Sequence, residues 1–460
     1  MIRKRKSESR DGETRRIPIG LRLLLILGVI VYAGYLLLQS STTVSYEREP
    51  LPVVVGTGSV IGTSSNPETE ILDETETIDP ALPIEPVPFV ATHIEVPDQV
   101  RAIYMTACVA GTPSFRSQLV KLVEETDVNS LIIDVKDYTG TIAFDIEGID
   151  LIGEEGTGCR VRDMKEFIAT LHDKGIYVIA RITVFQDPLY ATAYPDQAVQ
   201  KASDKSVWTD YKGISFVEAG AREYWEYIAK LSRATYEAGF DELNLDYIRF
   251  PSDGNMQDIY YPFSEARLIE DPDFGKAEVV REFFQYMHES LKDTDVVLSA
   301  DLFGMTTTNS DDLNIGQVLE YAVPYFDYIA PMVYPSHYPT GFHGYSNVNA
   351  HTYEIIKFSM DSAVERIEAM RLSTTTDYGG HGNYHAKQLR PWLQDFDYPV
   401  TYTPEMVRNQ IQATYDAGLD SWMLWDPSNK YTSSVLYDLP KREDVVVENS
   451  LTNATSTQAQ

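Results

Sequence analysis

The stretch Phe240-Asp241-Glu242-Leu243-Asn244-Leu245-Asp246-Tyr247-Ile248-Arg249-Phe250-Pro251 reads as a buried β-strand that stops at a carboxylate, a guanidinium and a proline. Strand side chains alternate between two faces. Leu243 and Leu245 therefore share one face, and Asn244 and Asp246 the other. A plain core does not ask for polar groups opposite its leucines. The C-terminal mouth of a parallel barrel does, because barrel enzymes keep their chemistry there.

On either side of this strand the chain alternates short apolar runs with amphipathic segments. Runs at 102–106, 130–136, 176–182, 242–249, 296–301, 327–334, 390–396 and 421–426 predict strands. Helical spacing recurs near 114–126, 162–173, 221–238, 275–292, 313–322, 353–371 and 404–417. Lys174-Gly175 and Ala417-Gly418 read as helix stops before the next strand. Eight βα units in series predict an α/β chain whose residues 99–440 form a (β/α)8 TIM barrel. An open doubly wound sheet would carry a glycine-rich phosphate loop after its first strand, and Thr106-Ala107-Cys108-Val109-Ala110-Gly111 is a poor match.

The chain has 460 residues, and 38 Lys and Arg against 69 Asp and Glu leave a formal net charge of −31. Phosphate backbones need a basic partner, so nucleic acid is not expected. The N-terminus runs the other way. Residues 1–16 form a basic tail, and residues 17–38, uncharged from Leu23 to Leu38, are long enough for a transmembrane signal-anchor helix. The positive flank predicts a cytoplasmic N-terminus and an extracytoplasmic barrel at the cell membrane, in a single pass. The rival reading is a cleaved signal peptide, but the apolar run is long for one and no clear cleavage site follows Leu38. Residues 39–98, rich in Pro, Thr and Glu, are expected to be a disordered linker, and 441–460 a disordered tail. Cys108 and Cys159 belong to no metal-binding pattern. Outside the membrane they are compatible with a disulfide or with two separate buried thiols.

Barrel chemistry gathers at the strand ends. Reading them in order gives Tyr104 with Thr106, Asp134 with Lys136, Arg181, Asp246 with Arg249, Asp301, Tyr334, Gln394 or Asp395, and Trp425 with Asp426. Carboxylates, cations and rings at one end suit a sugar, whose apolar face stacks on rings and whose hydroxyls bind charged groups. Glycoside hydrolysis needs two carboxyl groups, and Asp246 and Asp301, closing adjacent strands, are the expected catalytic pair. The alternative is that either caps a helix or pairs with a basic residue. Tyr104, Asp134, Lys136, Arg181, Arg249, Tyr334, Asp395 and Trp425 are the expected substrate-binding residues, with Asp134 and Asp395 as substitute acids. His337 is a loop histidine within possible reach of substrate. Of His343, His351, His381 and His385, only the last two have i, i+4 spacing, and Gly380, Gly382 and Asn383 argue against a helix there; with no glycine-rich cofactor loop either, neither a metal nor a cofactor is expected.

At these residues the chain resembles a bacterial glycoside-hydrolase-like domain family, known chiefly as a domain of unknown function with a sugar-hydrolase-like TIM barrel. The likeness rests on Val100 to Tyr104, Leu131 to Asp137 with Gly140, Ala180 to Phe185 and Gly239 to Gly254. It continues through Ser299 to Gly304, Asp327 to Tyr338, Arg390 to Phe396 and Trp422 to Asn429. A weaker likeness is to chitinase-like hydrolases of family 18, whose fourth strand carries Asp-x-x-Asp-x-Asp-x-Glu. Asp241, Asn244 and Asp246 would match its aspartates, but Ile248 stands where the catalytic glutamate belongs. That departure argues against the substrate-assisted chitinase mechanism. Residues and resemblance together predict a membrane-anchored extracytoplasmic glycoside hydrolase. It would act on a cell-envelope or matrix polysaccharide, or on oligosaccharides from one, by paired-carboxylate catalysis. The alternative is a non-catalytic carbohydrate-binding or cell-envelope protein on a hydrolase-like barrel.

Overall fold

The computed structural model of the chain describes residues 89–146, 158–373 and 378–440. The basic tail, residues 17–38, the linker before residue 89 and the tail after residue 440 lie outside the described residues. Among the described residues no helix is long and apolar enough to cross a membrane.

Eight strands close into one parallel barrel: β1 Arg101–Met105, β2 Ser130–Lys136, β3 Tyr177–Thr183, β4 Glu242–Asp246, β5 Val297–Phe303, β6 Tyr328–Met332, β7 Trp392–Gln394 and β8 Trp422–Trp425. Each pairs with its sequence neighbours, and β1 closes on β8 with Ile103 opposite Leu424. Helices Pro113–Glu125, Met164–His172, Arg222–Glu237, Gly275–Leu291, Thr352–Leu372 and Pro404–Asp416 form the outer layer. Gly175 (φ +70) and Gly418 (φ +84) end two of them in the left-handed region, where a side chain would be strained.

Strand alternation sorts the core into two layers. Outward residues such as Ile103, Leu131, Val178, Leu243, Leu245 and Leu424 pack against the helices. Inward residues Ala102, Tyr104, Ile132, Ile179, Ala330, Trp392 and Met423 fill the barrel. At its floor Arg390 Nη1 lies 2.8 Å from both Glu242 oxygens, and Tyr177 donates to the same carboxylate. Ile94 and Val96, at the end of the stretch expected to be linker, pack on this interior cluster, and the Ile94 N–H donates to Asp241. The chain is therefore anchored to the barrel before residue 99, because those two apolar side chains have somewhere to bury.

Three elements differ from expectation. β4 ends at Asp246 rather than at residue 249, because Tyr247 takes φ +53 and turns the chain. Helix is confined to Leu319–Ala322 within 313–322, since Leu313, Asn314 and Gly316 all have positive φ. β7 spans only Trp392–Gln394 of the expected 390–396. The loops after β3 and β4 also pair with each other, Lys201 opposite Ile259, beside the barrel mouth. Cys108, in the helix after β1, and Cys159, in the loop after β2, form a disulfide with a Cα–Cα distance of 4.8 Å.

Candidate active site

The C-terminal mouth holds a cavity of about 370 Å³ with Asp246, Asp301, Arg181, Arg249, Tyr334 and Trp425 in its wall. Strand ends place these side chains, and Arg181 of β3 organises them. Its Nη1 donates to Asp134 (2.8 Å) and its Nε to Asp246 Oδ2 (3.1 Å), and its Nη2 also binds Asp246 Oδ2. Burial alone would lower the guanidinium's pKa, but the charges of Asp246, Asp134 and Asp301 outweigh it and hold Arg181 firmly protonated.

The two aspartates have unlike surroundings. Asp246 accepts the Arg181 donors on Oδ2 and the Tyr247 N–H on Oδ1 at 2.6 Å. Asp301 takes its hydrogen bonds on Oδ1, from Asn244 (2.8 Å) and Trp392 Nε1 (2.7 Å). Its Oδ2 lies 3.9 Å from Arg181 Nε. Burial, reinforced by the Asp246 charge, pushes the Asp301 carboxyl well above the usual carboxylate range, and Arg181 with the two donors offsets only part of that. Arg181 Nε thus sits 3.1 Å from one Oδ2 and 3.9 Å from the other, so the two oxygens are at most about 7 Å apart. That bound holds for one oxygen of each carboxyl and is compatible with both the retaining spacing of about 5–5.5 Å and the inverting one of about 6.5–9.5 Å.

The walls are aromatic. Trp425 stacks on Tyr104 with ring centroids 4.0 Å apart and meets Trp392 edge-on at 5.5 Å. The Arg181 guanidinium lies 5.0 Å from the Trp425 ring centroid. Tyr334 meets His337 and Phe396 edge-on. Burial and the charges of Asp301 and Asp246 raise the Tyr334 phenol well above its ordinary pKa, so it stays a hydrogen-bond donor.

Four residues expected to bind substrate stand behind the wall instead. Tyr104 donates to Asp134, and Asp134 supports Arg181, so this pair braces the guanidinium from below. Lys136 is fully buried, 2.9 Å from Asp187 and donating to the Thr183 carbonyl. A register shift between Asp134 and Lys136 puts Lys136 opposite Ile182, on the helix-facing side of the sheet. Asp395 accepts from Thr432 N–H (2.8 Å) and its hydroxyl, and burial raises its carboxyl to about 7. Conversely, Tyr247, Phe303, Met305, Met332, Tyr338 and Trp392 line the cavity without having been expected there. Of these Trp392 carried a signal, since two-residue alternation along β7 sets it on the inward face with Gln394.

The family model described as "putative glycosyl hydrolase domain" matches residues 102–431. The chain belongs to that family. No curated protein matches the sequence. Among solved structures, the PgaB (BpsB) glycoside hydrolase domain of Bordetella bronchiseptica is 14% identical, with a TM-score of 0.53, over 74% of this chain and 100% of that one. A hypothetical protein from Ruminiclostridium thermocellum is 27% identical over 43% of this chain and 96% of its own, with a TM-score of 0.38. An α-galactosidase of Thermus thermophilus, solved in complex with stachyose, is 14% identical over 76% of this chain and 64% of its own, with a TM-score of 0.43. The first of these likenesses is one of fold, and it matches the eight-stranded closed barrel described above.

Proposed function

We propose that this glycosyl hydrolase domain cleaves glycosidic bonds in a cell-envelope or matrix polysaccharide, with Asp246 as the ionised carboxylate and Asp301 as the proton donor. The observation that carries the reading is the asymmetry of the two carboxyls around Arg181. Asp246 accepts two guanidinium donors on one oxygen and a backbone N–H on the other. Asp301 is held in its acid form by burial and by its neighbour's charge. A carboxyl that keeps its proton beside one that accepts hydrogen bonds from a guanidinium is an arrangement suited to acid/base cleavage. Asp246 would act on the anomeric carbon, directly or through a water, while Asp301 protonates the leaving oxygen. Trp425 and Tyr334 supply ring faces for the sugar.

The same reading places the barrel outside the cytoplasm, held by residues 17–38. The Cys108–Cys159 bond supports an oxidising compartment. The test of the chemistry is Asp246→Asn in purified protein. It should lower turnover at least about 10²–10⁴-fold, the usual yield of acid/base work, while the melting temperature shifts little. Unchanged turnover would remove Asp246 from the mechanism. Binding of a glycan without turnover by the wild type would favour the non-catalytic carbohydrate-binding alternative.

A further inference from the structure

Arg249 stands just past β4, in the cavity wall. Its residue is only 9% exposed. Among the described residues its hydrogen bonds run from Nη1 alone, to the Phe250 carbonyl at 3.0 Å and the Ser252 hydroxyl at 3.2 Å. It forms no ion pair there, whereas Arg181 and Arg390, also buried, are each tied to carboxylates. The face of its guanidinium is taken up by rings, 4.6 Å from the Phe303 centroid and 5.1 Å from that of Tyr247. Ring contacts and the Nη1 bonds together fix the plane of the group. Among the described residues Nε and Nη2 have no partner, and neither is sealed from solvent; since Arg249 lines the cavity, that edge of the fork is open to a ligand there.

A guanidinium edge with two parallel N–H donors matches an oxyanion bidentately. Burial disfavours the Arg249 cation, and the more distant charges of Asp246, Asp253 and Asp210 offset that only in part. None of them forms an ion pair with it among the described residues, and the Asp246 oxygens already accept from Arg181 and the Tyr247 N–H, so an anion in the cavity would be its direct partner. We infer that the cavity takes an acidic sugar, whose carboxylate or sulfate group is bound by Arg249 beside the Asp246–Asp301 pair. This deepens the glycosidase reading and rests on it for the choice of a sugar. The chain's own charge of −31 repels a polyanion at a distance. Recognition is accordingly local, of one anionic residue in the cavity rather than of a densely charged chain.

The test uses the full chain carrying Asp246→Asn, so that binding is read by calorimetry without turnover. The probes are oligosaccharides prepared in three forms from one backbone: with uronate carboxylates, with those carboxylates reduced to alcohols, and with sulfate esters on the reduced form. Arg249 predicts that at least one anionic form binds about tenfold or more tighter than the neutral form, with the advantage shrinking as salt is added. Preference for the uronate assigns a carboxylate, and preference for the sulfated form assigns a sulfate ester. Arg249→Met should erase the preference. Arg249→Lys should retain part of it through charge alone while losing the bidentate geometry. Equal binding of all three forms would overturn the inference, as would a preference that survives Arg249→Met in a variant with wild-type melting temperature. No turnover of any of the three forms by the wild type, with the anionic preference intact in Asp246→Asn, would count against the hydrolase reading and leave this one standing.

Discussion

Asp301 takes both of its fixed hydrogen bonds on Oδ1, so the oxygen free to carry a proton is Oδ2, the one nearest Arg181. Burial and the Asp246 charge keep that proton in place above the usual carboxylate range. The expected kinetic consequence is a loss of kcat/KM on the alkaline side as Asp301 ionises, reported by the free enzyme. Asp301→Asn should abolish this alkaline limb and spare substrates with activated leaving groups, which need no proton. A variant that keeps the limb would place the acid elsewhere. Asp395 is then the next candidate, since burial, helped by the charges of Asp426 and Asp397, raises it to about 7, although Thr432 rather than the cavity occupies its oxygens. The faces of β4 are legible in the sequence, because Leu243 and Leu245 alternate with Asn244 and Asp246. Lys136 is not legible, because a bulge leaves no trace in the alternation: two residues after Asp134 should face inward, and the register shift turns it outward.

At the scale of elements, all eight strands are legible as apolar runs, but what covers the mouth is not. Residues between β3 and the following helix, and between β4 and its helix, carry no period, since their order comes from contacts between the two loops. Trp208 of the first loop, 1% exposed, donates to the Asn255 carbonyl of the second. Glu218 joins them again by accepting the Ser264 hydroxyl, with its Oε2 buried and unpartnered. Burial pushes its carboxyl up to about 7 from an ordinary 4.5. A raised folded-state pKa means that the stabilising protonated form is fully present below about 4.5. Its contribution is then lost as pH rises toward 7, at a cost of about 3 kcal/mol once the group ionises. Glu218→Gln keeps the shape and cannot ionise. It is expected to melt several degrees above wild type at pH 8 and level with it near pH 4.5, as followed by calorimetry across that range. A variant less stable than wild type at both pH values would mean that the carboxylate's acceptor role outweighs its buried charge.

At the scale of the whole molecule, three features bear on where the barrel works. The disulfide closes a loop of sequence separation 51 and constrains the unfolded chain by about 4 kcal/mol, but only where thiols stay oxidised. The charge of −31 suits a domain that must stay soluble while held near a surface. The apolar run of residues 17–38 with its basic flank supplies the proposed anchor, and the proline-rich stretch after it supplies reach. Protease added to intact cells should therefore cut in that stretch and release the barrel into the medium. The barrel itself should resist, because its strands are closed with no free edge and its first apolar contacts, Ile94 and Val96, lie on the barrel side of such a cut. Reduction before digestion should make the released fragment easier to degrade, since the constraint between Cys108 and Cys159 is gone. A barrel that stays with the cells and is cut only after lysis would reverse the topology. It would also leave the disulfide without the oxidising compartment that its survival requires.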